Sequence, residues 1–401
     1  MNTQRSDIMQ TPLLQIKEIV LSLIRCELTN SEIDETTKQL LENKILLSDL
    51  YTFSKRHDLS HLMASVLSKN DMLAQDEISK KYQQQMMMAV YRYEQKKYVL
   101  EELKNLLDSA KIPHIPLKGS VVQKLYPTAW LRTSCDIDIL IHQEDVDKAI
   151  ELLNKSGYKR QSDATTHDCS FIAPGKVHLE LHYSLNQGEQ MQETNAILDT
   201  VWEYSTLDKG TQYCYQMDSE MFVFYHIAHM AKHFIAGGCG IRPFIDLYLL
   251  KNNDFCNSPQ LSVFLKKANL TVFYESVMKL VGVWFENKSH DSITEPMESY
   301  ILTGGVYGST TNSAAVKAAK GESKIKTFCK LMFLSRTSLE LVYPNLRKHP
   351  MLLPFYQIKR WFRIFNPQKR KRITDLTTAR NSVTKNEIDN VANLLEGLEL
   401  K

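Results

Sequence analysis

The sequence predicts an α+β protein, a mixed β-sheet core held between helical regions. Three observations predict it. Apolar residues recur at helical spacing through residues 1 to about 110, and again from Ser219. Between these regions, short runs of β-branched and aliphatic residues, punctuated by Pro and Gly, read as strands. The runs follow the order strand, helix, strand, helix, hairpin, which is the pattern of a mixed sheet with helices packed on it.

The first region carries one stripe at Leu13, Ile16, Ile19, Val20 and Ile24, and a second at Leu40, Leu41, Ile45, Leu46 and Leu50. Gln15, Lys17 and Glu18 interrupt the first stripe, so it reads as an amphipathic helix rather than a signal sequence. Gln83 to Leu107 continues as helix, with Met86, Met87, Val90, Tyr93, Leu100, Leu103 and Leu107 on or near one face. Met86, Met87 and Met88 are expected to fill an irregular core rather than bind a soft metal.

Ile112 to Leu117 is expected to form the first core strand, and Ser120 to Tyr126 a helix ended by Pro127. Asp136 to Ile141 is the central strand. Glu144 to Ser156 is an amphipathic helix capped by Gly157. Ser170 to Ala173 and Val177 to Leu185 are two strands joined at Pro174-Gly175. Helices follow over Met221–Ile235, Arg242–Leu250 and Leu261–Leu280, and Thr303 to Ala319 reads as a mobile loop. The chain thus divides into a helical region (1–110), an α/β core (111–215), a helical domain (216–350) and a basic tail (351–401).

The chemistry concentrates between Pro116 and Leu140. Asp136 and Asp138 alternate with Ile137, Ile139 and Leu140, so strand geometry points both carboxylates the same way. Two such charges between apolar runs need a neutralising cation, and oxygen ligands suit Mg²⁺. Replacing either acid with Asn should relieve their repulsion and leave the metal-free protein at least as stable. Gly119-Ser120 opens a helix, where free backbone N–H groups suit phosphate. Glu180, in Val177-His178-Leu179-Glu180-Leu181-His182, shares a strand face with both histidines.

Leu117-Lys118-Gly119, Tyr126-Pro127, Arg132, Asp136-Ile137-Asp138-Ile139-Leu140 and Leu179-Glu180-Leu181-His182 together resemble a bacterial family of uncharacterised nucleotidyltransferases. That family lies in the DNA polymerase β-like superfamily, whose pattern is Gly-Ser, a spacer, Asp-x-Asp and a later carboxylate. The resemblance implies transfer of a nucleoside monophosphate from an NTP to a hydroxyl acceptor, with release of pyrophosphate. It implies Asp136, Asp138 and Glu180 as catalytic and metal-binding residues. Two Mg²⁺ ions are implied, with Mn²⁺ as an alternative. Gly119 and Ser120 would bind the β- and γ-phosphates. Lys118 would add positive charge there or be a solvated strand end. Arg132 would touch phosphate or pair with Asp136, and His182 would orient Glu180 or the acceptor. The alternative from another class is a catalytically silent or partner-regulated nucleotide binder.

The remaining signals are weaker. His226, His229 and His233 share a helical face, but no His-Glu-x-x-His motif accompanies them, so packing or lining a cleft is expected. Arg242 and Asp246, four apart, are expected to pair. A net charge of +3 over 401 residues points to no class of partner. Seven cysteines without a Cys-x-x-Cys pair suggest free thiols and a cytoplasmic location. No run is long and apolar enough to span a membrane. Lys359, Arg360, Arg363, Lys369, Arg370, Lys371 and Arg372, with Trp361, Phe362 and Phe365 among them, read first as a solvated face. Nucleic acid is permitted there but not favoured. The acceptor, whether small molecule, sugar, tRNA or protein, is left open.

Overall fold

Each sequence stripe folds against a partner that its spacing demands. The computed structural model describes residues 3–161, 167–305, 308–321, 349–362 and 382–400, with isolated positions 333, 336, 339, 343, 346 and 378. The N-terminal region forms α1 (Thr3–Thr29), α2 (Glu35–Leu41), α3 (Lys44–Arg56), α4 (Ser60–Lys69) and α5 (Glu77–Ser109). Side-chain oxygens start three of them: Asp34 caps α2, Asn43 caps α3 and Asp76 caps α5. The cap at Asn43 splits the Leu40–Leu50 stripe into two helices and leaves Ile45 exposed. The side chain of Leu13 lies outside the described residues.

The sheet follows. Its strands are β1 (His114–Pro116), β2 (Asp136–Ile141), β3 (Lys159–Arg160), β4 (Asp168–Ile172) and β5 (His178–His182). A short helix, α6 (Gly119–Val122), follows β1, and α7 (Val146–Lys155) follows β2. Strand order is β1-β2-β5-β4-β3. Only β2 and β5 run parallel, with Asp136 opposite His178, Asp138 opposite Glu180 and Leu140 opposite His182. The other neighbours are antiparallel, and β4–β5 is the expected hairpin across Pro174-Gly175.

Period two sorts the sheet into two faces. Ile137, Ile139, Ile141, Leu179 and Leu181 pack on Val99, Leu103 and Leu107 of α5 and Ala149 and Leu153 of α7. The opposite face carries Asp136, Asp138, Glu180 and His182. It turns toward α9 (Ser219–Ala236) and α10 (Arg242–Asn252), which follow α8 (Gln192–Leu198) and the small ladder of β6 (Ser205–Leu207) and β7 (Tyr215–Met217). Then come α11 (Pro259–Lys267), α12 (Thr271–Phe285), α13 (Thr294–Leu302) and α14 (Thr310–Ala319). Residues 310–319 are therefore helix and not loop. Ser309 accepts from the Asn312 amide to cap a run rich in Ala.

The helices before and after the sheet share one hydrophobic core, which includes Leu23, Leu50 and Leu62 together with Phe234, Phe273 and Trp284. Buried polar contacts cross it. Lys17 pairs with Glu298 at 3.1 Å, and Arg25 donates to the Trp284 carbonyl at 2.8 Å. The methionine expectation fails in part: Met87 and Met88 are exposed on α5, and only Met86 packs against the core. Among the described residues, no helix is long and apolar enough to cross a membrane. Arg363, Phe365, Lys369, Arg370, Lys371 and Arg372 lie outside the described residues.

Candidate active site

The parallel pairing of β2 with β5 builds the floor of the site. It sets Asp138 directly beside Glu180 on one face, and His182 lies two residues further along that face. Asp138, Glu180 and His182 each offer a ligand atom, all within 4.8 Å of one another. Asp136 does not belong to that 4.8 Å group, although it stands on the same face of β2. Oδ1 of Asp138 takes two contacts, His182 Nε2 at 2.9 Å and Lys118 Nζ at 2.9 Å. His182 Nε2 also lies 3.5 Å from Glu180. His182 thus orients Asp138 more closely than Glu180, and Lys118 is paired rather than a solvated strand end.

These contacts separate the two aspartates. Burial works against the Asp138 carboxylate, but Lys118 and His182 outweigh it and hold its pKa far below the usual range. Burial, then Asp138, then Glu180 push Asp136 upward. Burial also opposes the His182 cation, yet hydrogen bonds to Asp138 and Glu180 raise its pKa. Three carboxylates therefore share one face of the sheet, and their repulsion adds to burial at Asp136. A donor set of carboxylate oxygens and one imidazole fits a divalent cation, with the nitrogen an addition to the oxygen set read from sequence.

The turn from β1 into α6 forms one rim. Lys118 has φ 45° and ψ −114°, a left-handed conformation uncommon for a residue with a Cβ. Gly119 is buried, and a Cβ on it would lie 2.8 Å from Arg132 Nη1 and 3.3 Å from Ser134 Oγ. Close approach of that guanidinium is the reason for glycine here. The Ser120 amide donates to the Leu117 carbonyl at 3.2 Å. Gly119 lines the cleft, whereas Ser120 follows it outside the lining.

Arg132 does not pair with Asp136. It is bidentate to the fully buried Asp246, with Nη2 at 2.7 Å and Nε at 3.3 Å. The Tyr126 hydroxyl donates to the same carboxylate at 2.8 Å. Nor do Arg242 and Asp246 pair with each other. Arg242 holds Asp58 at 2.8 Å and donates to the Thr133 carbonyl. Local helix spacing proposed one pair, and two partners distant in sequence won because they lock the loop before β2 against α10.

The cleft, about 160 Å³, lies between Asp136 and Asp138 of β2 and the wall formed by α9 and α10, and Glu180 and His182 lie outside its lining. His226, His229 and His233 line it, as expected of histidines not held in a zinc motif. Sequence reasoning missed three contributors. Lys96 of α5 is hydrogen-bonded to Ser134 beside the aspartates, and burial pushes its pKa down to about 8. His57, from the turn between α3 and α4, lines the cleft, as does Arg242. Only a charge on an otherwise apolar helical face could have marked Lys96. Nothing local marked His57.

No curated protein and no solved structure matches the chain. The sequence model of a family described as uncharacterised nucleotidyltransferase matches residues 43–286, more than half of the chain. That span runs from α3 to the end of α12 and so contains the whole sheet, the paired acids and the α9–α10 wall. The chain belongs to this uncharacterised nucleotidyltransferase family.

Proposed function

We propose that this protein moves a nucleoside monophosphate from an NTP to a hydroxyl acceptor and releases pyrophosphate, in a reaction that depends on Mg²⁺. One observation carries the reading. Asp138 and Glu180 stand in register on adjacent parallel strands, with Asp136 on the same face, and Asp136 and Asp138 line a cleft together with Gly119 and Arg132. Asp136, Asp138 and Glu180 would hold the divalent ions, two Mg²⁺ with Mn²⁺ as a substitute. Such ions would supply Lewis-acid stabilisation of charge at the transferred phosphate.

The chain's own residues do the rest. Gly119 offers close backbone approach to the phosphates, and Ser120 supports that turn. Lys118 and Arg132 add positive charge at the same rim. His182 fixes Asp138. Glu180, the more exposed carboxylate, takes the proton from the acceptor hydroxyl. The acceptor oxygen then bonds to the α-phosphorus as the bond to the β-phosphate breaks. The free cysteines fit a reducing compartment, and we place the reaction in the cytoplasm.

A second reading, a catalytically silent nucleotide binder, draws on Lys118. Its ammonium already neutralises Asp138 without a metal. Purified protein incubated with each labelled NTP, Mg²⁺ and cell extract separates the two. Label transferred to an acceptor supports the transferase. Tight binding of an NTP with no transfer to any acceptor supports the binder.

A further inference from the structure

Three side chains, two of them on the α9 wall itself, form a hydrogen-bonded line whose protonation geometry fixes. Gln187 is 6% exposed, and its Nε2 donates to the Leu185 carbonyl at 2.5 Å. Flipping the amide would set Oε1 against that carbonyl, oxygen on oxygen. Oε1 therefore faces His229 Nδ1, at 3.3 Å, and accepts from it. With its proton on Nδ1, a neutral His229 has a bare Nε2. His233 Nε2 lies 3.0 Å from that atom and must be the donor. Nδ1 of His233 is then the bare nitrogen, and it meets no hydrogen-bond partner among the described residues. Asn195 Oδ1 anchors the far end by accepting from the backbone N–H of Gln187 at 2.8 Å.

Both histidines line the cleft that holds Asp136 and Asp138. Burial keeps them neutral. It pushes His233 down to about 4 and His229 well below its ordinary value, and Lys118 and Lys232 add to both effects. The cleft's cations are Lys118, Arg132 and Arg242, and its carboxylates include Asp136 and Asp138. Those cations suit phosphate, whereas a bare imidazole nitrogen suits a hydroxyl that can donate.

We infer that Gln187, His229 and His233 form a relay that presents His233 Nδ1 as a fixed, uncharged acceptor for a hydroxyl group of the substrate. The inference rests on the nucleotidyl-transfer reading and refines its specificity. The hydroxyl belongs either to the ribose of the NTP or to the acceptor. His233 is a specificity-determining residue, and Gln187 and His229 are positioning residues.

The test compares wild type with His233→Leu, which removes the acceptor, and His233→Asn, whose Oδ1 restores one near Nδ1. Affinities for ATP, 2′-deoxy-ATP and 3′-deoxy-ATP are measured by calorimetry with Mg²⁺. If the hydroxyl is on the ribose, His233→Leu weakens ATP about tenfold and leaves one deoxynucleotide unchanged, and His233→Asn recovers the loss. If it is on the acceptor, nucleotide affinities hold, label transfer to acceptors in cell extract falls about tenfold, and His233→Asn recovers it. Equal losses for all three nucleotides without recovery in Asn would overturn the inference, as would no effect in either assay. Nitrogen NMR of the imidazoles reads the relay without nucleotide. It should show a bare Nδ1 on His233 that loses its fixed tautomer in Gln187→Leu, and a protonated Nδ1 in the wild type sinks the proposal. Wild type that binds no NTP, with the expected tautomers present, would overturn the transferase reading alone.

Discussion

Asp136 and Asp138 stand two residues apart on one face of β2, but their surroundings treat them differently. A raised carboxyl pKa means the folded state holds the proton more tightly than the unfolded chain. Asp136 therefore costs stability once the pH exceeds the unfolded value, about 4. Asp136→Asn removes the charge that burial, Asp138 and Glu180 oppose, and should raise the melting temperature of the metal-free protein. Asp138 has the opposite sign: its contribution is present above the unfolded pKa and is lost only in strong acid. Asp138→Asn strands the Lys118 ammonium and should cost about 3 kcal/mol, the scale of a broken buried pair. Sequence alone treated the acids alike, because Lys118 lies in the β1–α6 turn and its approach is tertiary. Both variants should lose transfer. Thermal melts without metal decide the point, and equal shifts for the two would remove Lys118 from the argument. Gly119→Ala makes a third case. Its Cβ would press on Arg132, which Asp246 prevents from retreating freely, so NTP affinity measured by calorimetry should drop about tenfold.

At the scale of elements, alternation and helical spacing carried most of the assignment. β2 and β5 were legible because one face is strictly Ile and Leu while the other is Asp, Glu and His apart from Leu140. Helix α14 was not, because Gly, Ser and Thr at Thr303–Ser309 mask the capped Ala run behind them. The Arg132–Asp246 and Arg242–Asp58 pairs span more than a hundred residues each, so no local spacing could announce them. The β1–α6 turn holds an opportunity to separate two effects. Lys118 takes a left-handed φ and also neutralises Asp138. Lys118→Ala and Lys118→Gly lose the same ion pair, but only Gly relaxes the backbone. Lys118→Gly should be more stable than Lys118→Ala by about 1 kcal/mol in urea melts. Equal stabilities would show that the turn carries no strain.

At the scale of the whole molecule, the helices before the sheet are part of the site and not an appendage to it. Asp58 grips Arg242 at 2.8 Å, Arg56 donates to the Leu302 carbonyl at 3.1 Å, and His57 lies between these contacts, fully buried at the edge of the cleft. Neither ring nitrogen of His57 makes a hydrogen bond of good geometry. Burial, with Arg56 adding to it, pushes its pKa down from the ordinary value near 6.5 to about 4. The sign follows from proton binding. Between these values the unfolded chain binds a proton at His57 that the folded protein refuses, so stability rises with pH. The contribution is complete above pH 6.5 and is lost as the pH falls toward 4. At ~1.4 kcal/mol per unit, the loss approaches about 3 kcal/mol at the lower limit. His114 and His226 are lowered by burial as well and should steepen the decline. His57→Phe keeps a buried ring and removes the titration. Urea unfolding at a series of pH values from 7.5 to 4.5 should give a shallower decline for His57→Phe than for wild type. Parallel declines would mean that His57 opens to water before the protein unfolds, and that the contact between the N-terminal helices and α10 is looser than its ion pair implies.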